Sequence, residues 1–142
     1  MLKLLIAVDG SEPARRAIEA AGQLAREVVD LEVVLVHVRG LPTYHGVLPP
    51  FDDESIEQAL REQQQTLLDA ALTQARASGL EKVTLLAAVG SAPQEIVRMA
   101  DEEQVDQIVM GTRGMTPLGG LLQGSVAQRV VHLAQVPVLL VK

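Results

Sequence analysis

The sequence predicts an α/β fold, a single-domain open parallel sheet of five strands with helices on both faces. Three observations predict it. Five short apolar runs recur: Leu4–Val8, Val33–Val38, Val83–Val89, Ile108–Met110 and Val136–Val141. Most are β-branched-rich and continuous, which is how strands buried on both faces read. Helical patterns lie between them, giving the order β-α-β-α-β-α-β-α-β, and such alternation implies a parallel sheet with right-handed crossovers. The length, 142 residues, favours one domain spanning 1–142. In open sheets of this type ligands bind beyond the carboxyl ends of the strands, where strand order reverses.

The elements follow in order. "MLKLLIAVDGSE" is apolar but short and meets an acid at Asp9, so it reads as a first strand and not as a signal peptide. Ser11-Glu12-Pro13 then supplies a cap, an acid and an early proline. Ala14, Ala17, Ile18, Ala21, Leu24, Ala25 and Val28 keep helical spacing. After the second strand, residues 39 to 51 form a long loop with both aromatics, Tyr44 and Phe51. It reads either as a lid or contact surface or as a loop anchored by its aromatics. Ile56, Leu60, Leu67 and Ala71 mark a helix from about 52 to 78, opened by Asp52-Asp53-Glu54 and stopped by Gly79. Ser91-Ala92-Pro93-Gln94 reads as a capping box before Ile96, Val97 and Ala100. Ser125-Val126-Ala127-Gln128 reads as another, before Val130, Val131 and Ala134.

Composition excludes several functions. The formal net charge is -6 and the longest basic run is Arg15-Arg16, which argues against nucleic-acid binding. There is no Trp, one Tyr and one Phe, so a bound purine must lie between aliphatic groups and backbone. No apolar run approaches the roughly 18 residues that span a bilayer, so membrane insertion is not expected. The absence of cysteine excludes disulfides and fits a cytoplasmic location. His37, His45 and His132 have no metal-ligand spacing; His37, inside a strand, reads as a core residue. No G-x-S-x-G hydrolase pattern is present.

The chemistry concentrates in "MGTRGMTPLGGLLQGSV", residues 110 to 126, with glycines at 111, 114, 119, 120 and 124. Ordering glycine is entropically costly, so this density implies close backbone approach or unusual turning. The stretch leaves a strand end and enters a helix N-terminus, where unpaired N–H groups and the helix dipole favour an anion. Successive backbone N–H groups can also cradle phosphate. Gly119 to Ser125 reads GxxxxGS, a P-loop without its lysine and before the last helix, so a standard P-loop NTPase is rejected. No G-x-G-x-x-G follows the first strand, which argues against a dinucleotide site.

Gly111, Gly114 and Gly124-Ser125 have the spacing G-x2-G-x9-G-[S/T]. With "LLIAVDGSEPARRAI", "VLVHV", "VGSAPQEIV", "IVMGTRG" and "VPVLLVK" in this order, the chain resembles the universal stress protein family over its whole length. The resemblance implies a Rossmann-like, adenine nucleotide alpha hydrolase-like sheet of order 3-2-1-4-5, and a homodimer, often through the last strand (Val136–Val141). Holding all three glycines and the serine, the chain is similar to the ATP-binding subgroup. On that resemblance Asp9, with Ala7 just before it, faces the adenine and ribose, and Val38 lines the adenine pocket. Met110 and Gly111 close over adenine and ribose. Gly114, Gly124, Ser125 and Val126 meet the phosphates, with Thr112 and Arg113 nearby. Many relatives carry a Lys or Arg in the nine-residue spacer, and "MTPLGGLLQ" has none. ATP would then rely on N–H groups, Arg113 and a divalent cation such as Mg2+.

Taken alone, Asp9 reads as a turn cap, Ser125 as an N-cap and Arg113 as a solvated side chain. The glycine signature adds a ligand role to each. No general base placed for a γ-phosphate is evident. The expectation is an ATP-binding regulatory module that acts through nucleotide-dependent association, with itself or an unknown protein partner. Two alternatives stand beside it: a weak ATPase or autophosphorylating enzyme, with Ser11, Thr112 and Ser125 as acceptors, and a structural dimer that meets no nucleotide.

Overall fold

The computed structural model describes residues 1–41, 53–112 and 124–142. Strands β1 (Leu2–Ala7), β2 (Leu31–Arg39), β3 (Lys82–Val89), β4 (Gln107–Gly111) and β5 (Val138–Val141) form one sheet of order β3-β2-β1-β4-β5. Every pairing is parallel. Helices α1 (Glu12–Leu24), α2 (Asp53–Ala77), α3 (Ala92–Glu102) and α4 (Ser125–Leu133) supply the crossovers. The expected fold class and strand order are those observed.

Alternation along the central strands builds two cores, because successive side chains point to opposite faces. Leu4, Ile6, Val33 and Leu35 pack with Ala17, Ile18, Ala21, Leu68 and Ala75. Leu5, Val34, Val36, Ile108 and Met110 pack on the other face with Ile96, Met99, Ala127 and Val130. This two-sided burial makes β1 and β2 read as continuous apolar runs. β3 does not share it. It lies at the sheet edge and alternates between exposed and half-buried positions, with Val89 exposed. Its unbroken apolar run overstates its burial, because an edge strand has a neighbour on one side only.

The helix starts correct two expectations. Ser11 caps α1 as read, its Oγ accepting from the Ala14 N–H at 3.3 Å. Ser91 caps α3 by position, but its side chain makes no cap hydrogen bond. The backbone bond from the Glu95 N–H to the Ser91 carbonyl (2.9 Å) and the preset φ of Pro93 secure that start instead. Ser125 is not the N-cap of α4. Gly124 is, and Ser125 is the first helical residue. Gly79 ends α2 as expected: at φ +97°, its N–H reaches the Arg76 carbonyl and the Leu80 N–H reaches that of Ala75.

The apolar stripe of α2 carries one unexpected residue. Gln64 is the one buried polar side chain among the described residues. Its Nε2 donates to the carbonyls of His37 and Ala88, each at 3.0 Å. Among the described residues no helix is long and apolar enough to cross a membrane.

Candidate functional site

Strand order reverses beside β1, with β2 and β3 on one side and β4 and β5 on the other. A crevice is expected at that switch point, outside the carboxyl ends. A cavity of about 250 Å³ lies there. The end of β1 contributes Ala7, Val8 and Asp9, β2 contributes Val36 and Val38, and β4 contributes Met110 and Gly111. Ser11 and Ala14 of the α1 start, Ala92 and Ile96 of α3, and Gly124 to Ala127 of the α4 start complete it.

Most of the residues expected from sequence meet in this cavity: Ala7, Asp9, Val38, Met110, Gly111, Gly124, Ser125 and Val126. Thr112 is not among the lining residues. It works through its backbone, its N–H donating to the Val141 carbonyl at 2.8 Å and its own carbonyl accepting from the Gly124 N–H. That second bond joins the two ends of the glycine segment. Arg113, Gly114, Gly119, Gly120 and residues 42–52, with Tyr44, His45 and Phe51, lie outside the described residues. Val36, Ala92, Ile96 and Ala127 were not anticipated. Val36 was within reach, because it shares Val38's face two residues earlier.

The two sides of the cavity differ in chemistry. Toward β2 and α3, Val36, Val38, Ala92 and Ile96 form an aliphatic slot. Toward β4, the N-terminus of α4 opens into the cavity with no side chain capping it. Its first-turn N–H groups have no intrahelical acceptor, and its dipole is positive at that end. The one-residue shift of the cap therefore places the Ser125 hydroxyl beside these donors, which no side chain among the described residues caps. Asp9 is the only ionisable side chain among the described lining residues. Its Oδ1 accepts from the Ser11 N–H at 2.9 Å, so its local turn role is real. A carboxylate has a second oxygen, so accepting a ligand hydroxyl is compatible with that role.

Gly111 has a different reason for being glycine than phosphate approach. A Cβ there would stand 2.5 Å from Pro13 Cβ and 2.7 Å from the Pro13 carbonyl carbon. The first turn of α1 sits directly on the end of β4, and only a bare backbone fits beneath it. Gly111 and Gly124 are not among the positive-φ glycines of the described residues, which are Gly10, Gly79 and Gly90.

A larger hollow of about 690 Å³ lies between α1 and α2. Three of its polar side chains are already engaged: Thr66 and Thr73 donate to carbonyls of their own helix, and Gln74 donates to the Arg15 carbonyl. No cluster of three or more His, Asp or Glu among the described residues forms a metal site.

His37 lies on the α2 side of β2, with its Nδ1 buried and without a hydrogen-bond partner among the described residues. Burial holds its pKa below the ordinary 6.5; the Asp9 charge opposes this and Arg39 reinforces it. Above 6.5 the imidazole is neutral folded or unfolded, and it costs nothing. As pH falls through that value the unfolded chain takes up the proton first, so stability drops until the folded pKa is passed. The His37→Leu protein is expected to lose less thermal stability between pH 7.5 and pH 5.5 than the unaltered protein. Melting curves at the two pH values check this; equal losses would show that His37 does not carry the effect.

With the fold and cavity in place, comparison with known proteins is direct. The model of the universal stress protein family matches residues 1–142. The chain belongs to the universal stress protein family. A universal stress protein of Methanocaldococcus jannaschii is 36% identical over 140 residues, 99% of this chain and 81% of the relative. One from Thermus aquaticus is 35% identical over 141 residues, 98% of this chain and 97% of the relative. Among solved structures, the universal stress protein of Archaeoglobus fulgidus in complex with dAMP is 30% identical with a TM-score of 0.68, covering 100% of this chain and 98% of that one. Two glycines of the spacing read from the sequence, Gly111 at the end of β4 and Gly124 before α4, line the cavity.

Proposed function

We propose that this chain binds an adenine nucleotide, ATP with Mg2+, in the switch-point cavity and acts as a regulatory stress-response module through nucleotide-dependent association. The observation that carries the reading is the pairing of an aliphatic slot with an uncapped helix N-terminus in one cavity. A flat apolar base suits the first, and a polyanion suits the second. The dAMP complex of the Archaeoglobus relative supports the same ligand class.

In this reading the base lies against Val38 and Ala7, and Asp9 accepts from the ribose. Met110 and Gly111 floor the base and sugar. Ser125 and Val126 donate to phosphate, which lies against the Gly124 backbone, with Thr112, Arg113 and Gly114 nearby. The cation arrives on the phosphates and takes its oxygens largely from them and from water. Association through β5 as a homodimer is supported by the exposed Leu139 on that edge strand and by exposed Val131 and Leu133 of the preceding α4. A cytoplasmic location belongs to the same proposal.

Slow hydrolysis is the second reading. It has less support, because the described lining offers Asp9 alone as an ionisable group and no acid–base pair. Co-purified nucleotide tests the choice. With no Trp and one Tyr, the protein absorbs little at 280 nm, and bound adenine would dominate near 260 nm. Denaturation followed by chromatography with mass detection is expected to release ATP. Release of ADP alone, with phosphate production that disappears in Asp9→Ala, would favour the enzyme.

A further inference from the structure

Gln64 is buried on the α2 side of the sheet, opposite the cavity, and binding as described makes no use of it. An apolar residue would fill that position equally well, but it would donate nothing. The amide instead reaches two carbonyls, those of His37 and Ala88. Both sit beside Val38. The His37 carbonyl belongs to the peptide unit whose N–H is Val38's own, and Ala88 is Val38's partner in the β2–β3 register. A second tie from the same helix acts one residue further on, where the Arg39 guanidinium, its side chain only 10% exposed, pairs with Glu57. α2 therefore grips the residues on both sides of Val38, while Val38 itself lines the cavity.

We infer that Gln64 is a positioning residue for the purine end of the nucleotide site: from behind the sheet it fixes the Val38 segment on which the base lies. The inference rests on the nucleotide reading above. It separates the ligand into two parts. The base depends on the wall that Gln64 holds, and the phosphates depend on the start of α4, which Gln64 does not touch.

The test uses two probes that share a phosphate chain and differ by adenosine: ATP and tripolyphosphate, each titrated by calorimetry with magnesium. For Gln64→Met, ATP is expected to bind about 5- to 10-fold more weakly, the scale of one or two lost hydrogen bonds. Tripolyphosphate is expected to bind as before. A purely structural Gln64 would weaken both probes by the same factor, or lower the melting temperature with neither affinity changed; either result overturns the inference. If Gln64→Met does not fold, Gln64→Asn keeps the amide but shortens its reach, and the same outcomes decide. Failure of the unaltered protein to bind ATP would refute the nucleotide reading itself, and this inference with it.

Discussion

Gly124→Val is expected to bind ATP at least about tenfold more weakly, a loss of ~1.4 kcal/mol or more, while the protein stays folded. The backbone at Gly124 has φ -53° and ψ 151°, which a branched residue adopts without strain. Valine is a poor N-cap, so stability should fall by about 1 kcal/mol. The branched side chain would stand where an anion must approach the first-turn N–H groups of α4. Calorimetric titration alongside a melting curve separates the two effects. Unchanged ATP affinity in a folded variant would remove α4 from the phosphate site.

Gly111→Ala is expected to damage both stability and binding. The added Cβ would overlap Pro13 at 2.5 Å and its carbonyl carbon at 2.7 Å, and neither contact is the end of a flexible side chain. The first turn of α1 must move away. Overpacking of this kind costs about 1–3 kcal/mol. The turn that moves also carries Ser11, whose N–H holds Asp9. The melting temperature should therefore fall by several degrees and ATP affinity should fall with it. A Gly111→Ala protein as stable as the unaltered one would show that β4 and α1 do not meet as described. The two glycines of one motif thus give different signatures: binding lost from a standing fold at 124, binding and stability lost together at 111.

Much of this was legible in the sequence because it depends on local pattern. The alternation of apolar runs with helical spacing marks the five strands and four helices, and Gly79 marks the end of α2 through a conformation that glycine favours. The family resemblance carried by the glycine spacing and the order of the motifs implies one site for Asp9, Val38, Gly111 and Ser125, and all four line one cavity. What escaped depends on neighbours distant in the chain. Apolar spacing reports that a residue is covered, not by what, so β3 reads like a central strand although it lies at the edge. The need for glycine at 111 comes from Pro13, nearly a hundred residues away in sequence. Gln64 interrupts an apolar stripe, and spacing alone gives no sign that two strand-end carbonyls await its amide. The cap shift from Ser125 to Gly124 is one residue, within the ordinary ambiguity of helix ends, yet it decides whether the cap residue has a side chain to offer the α4 donors.

The most direct test of nucleotide binding is calorimetric titration of ATP with magnesium into nucleotide-free protein. One ATP is expected to bind per chain, and AMP is expected to compete for the same site. The ligand should also raise the melting temperature, since a molecule that binds only the native state stabilises it. No heat of binding and an unchanged melting temperature at millimolar ATP would contradict an adenine-nucleotide site in this cavity.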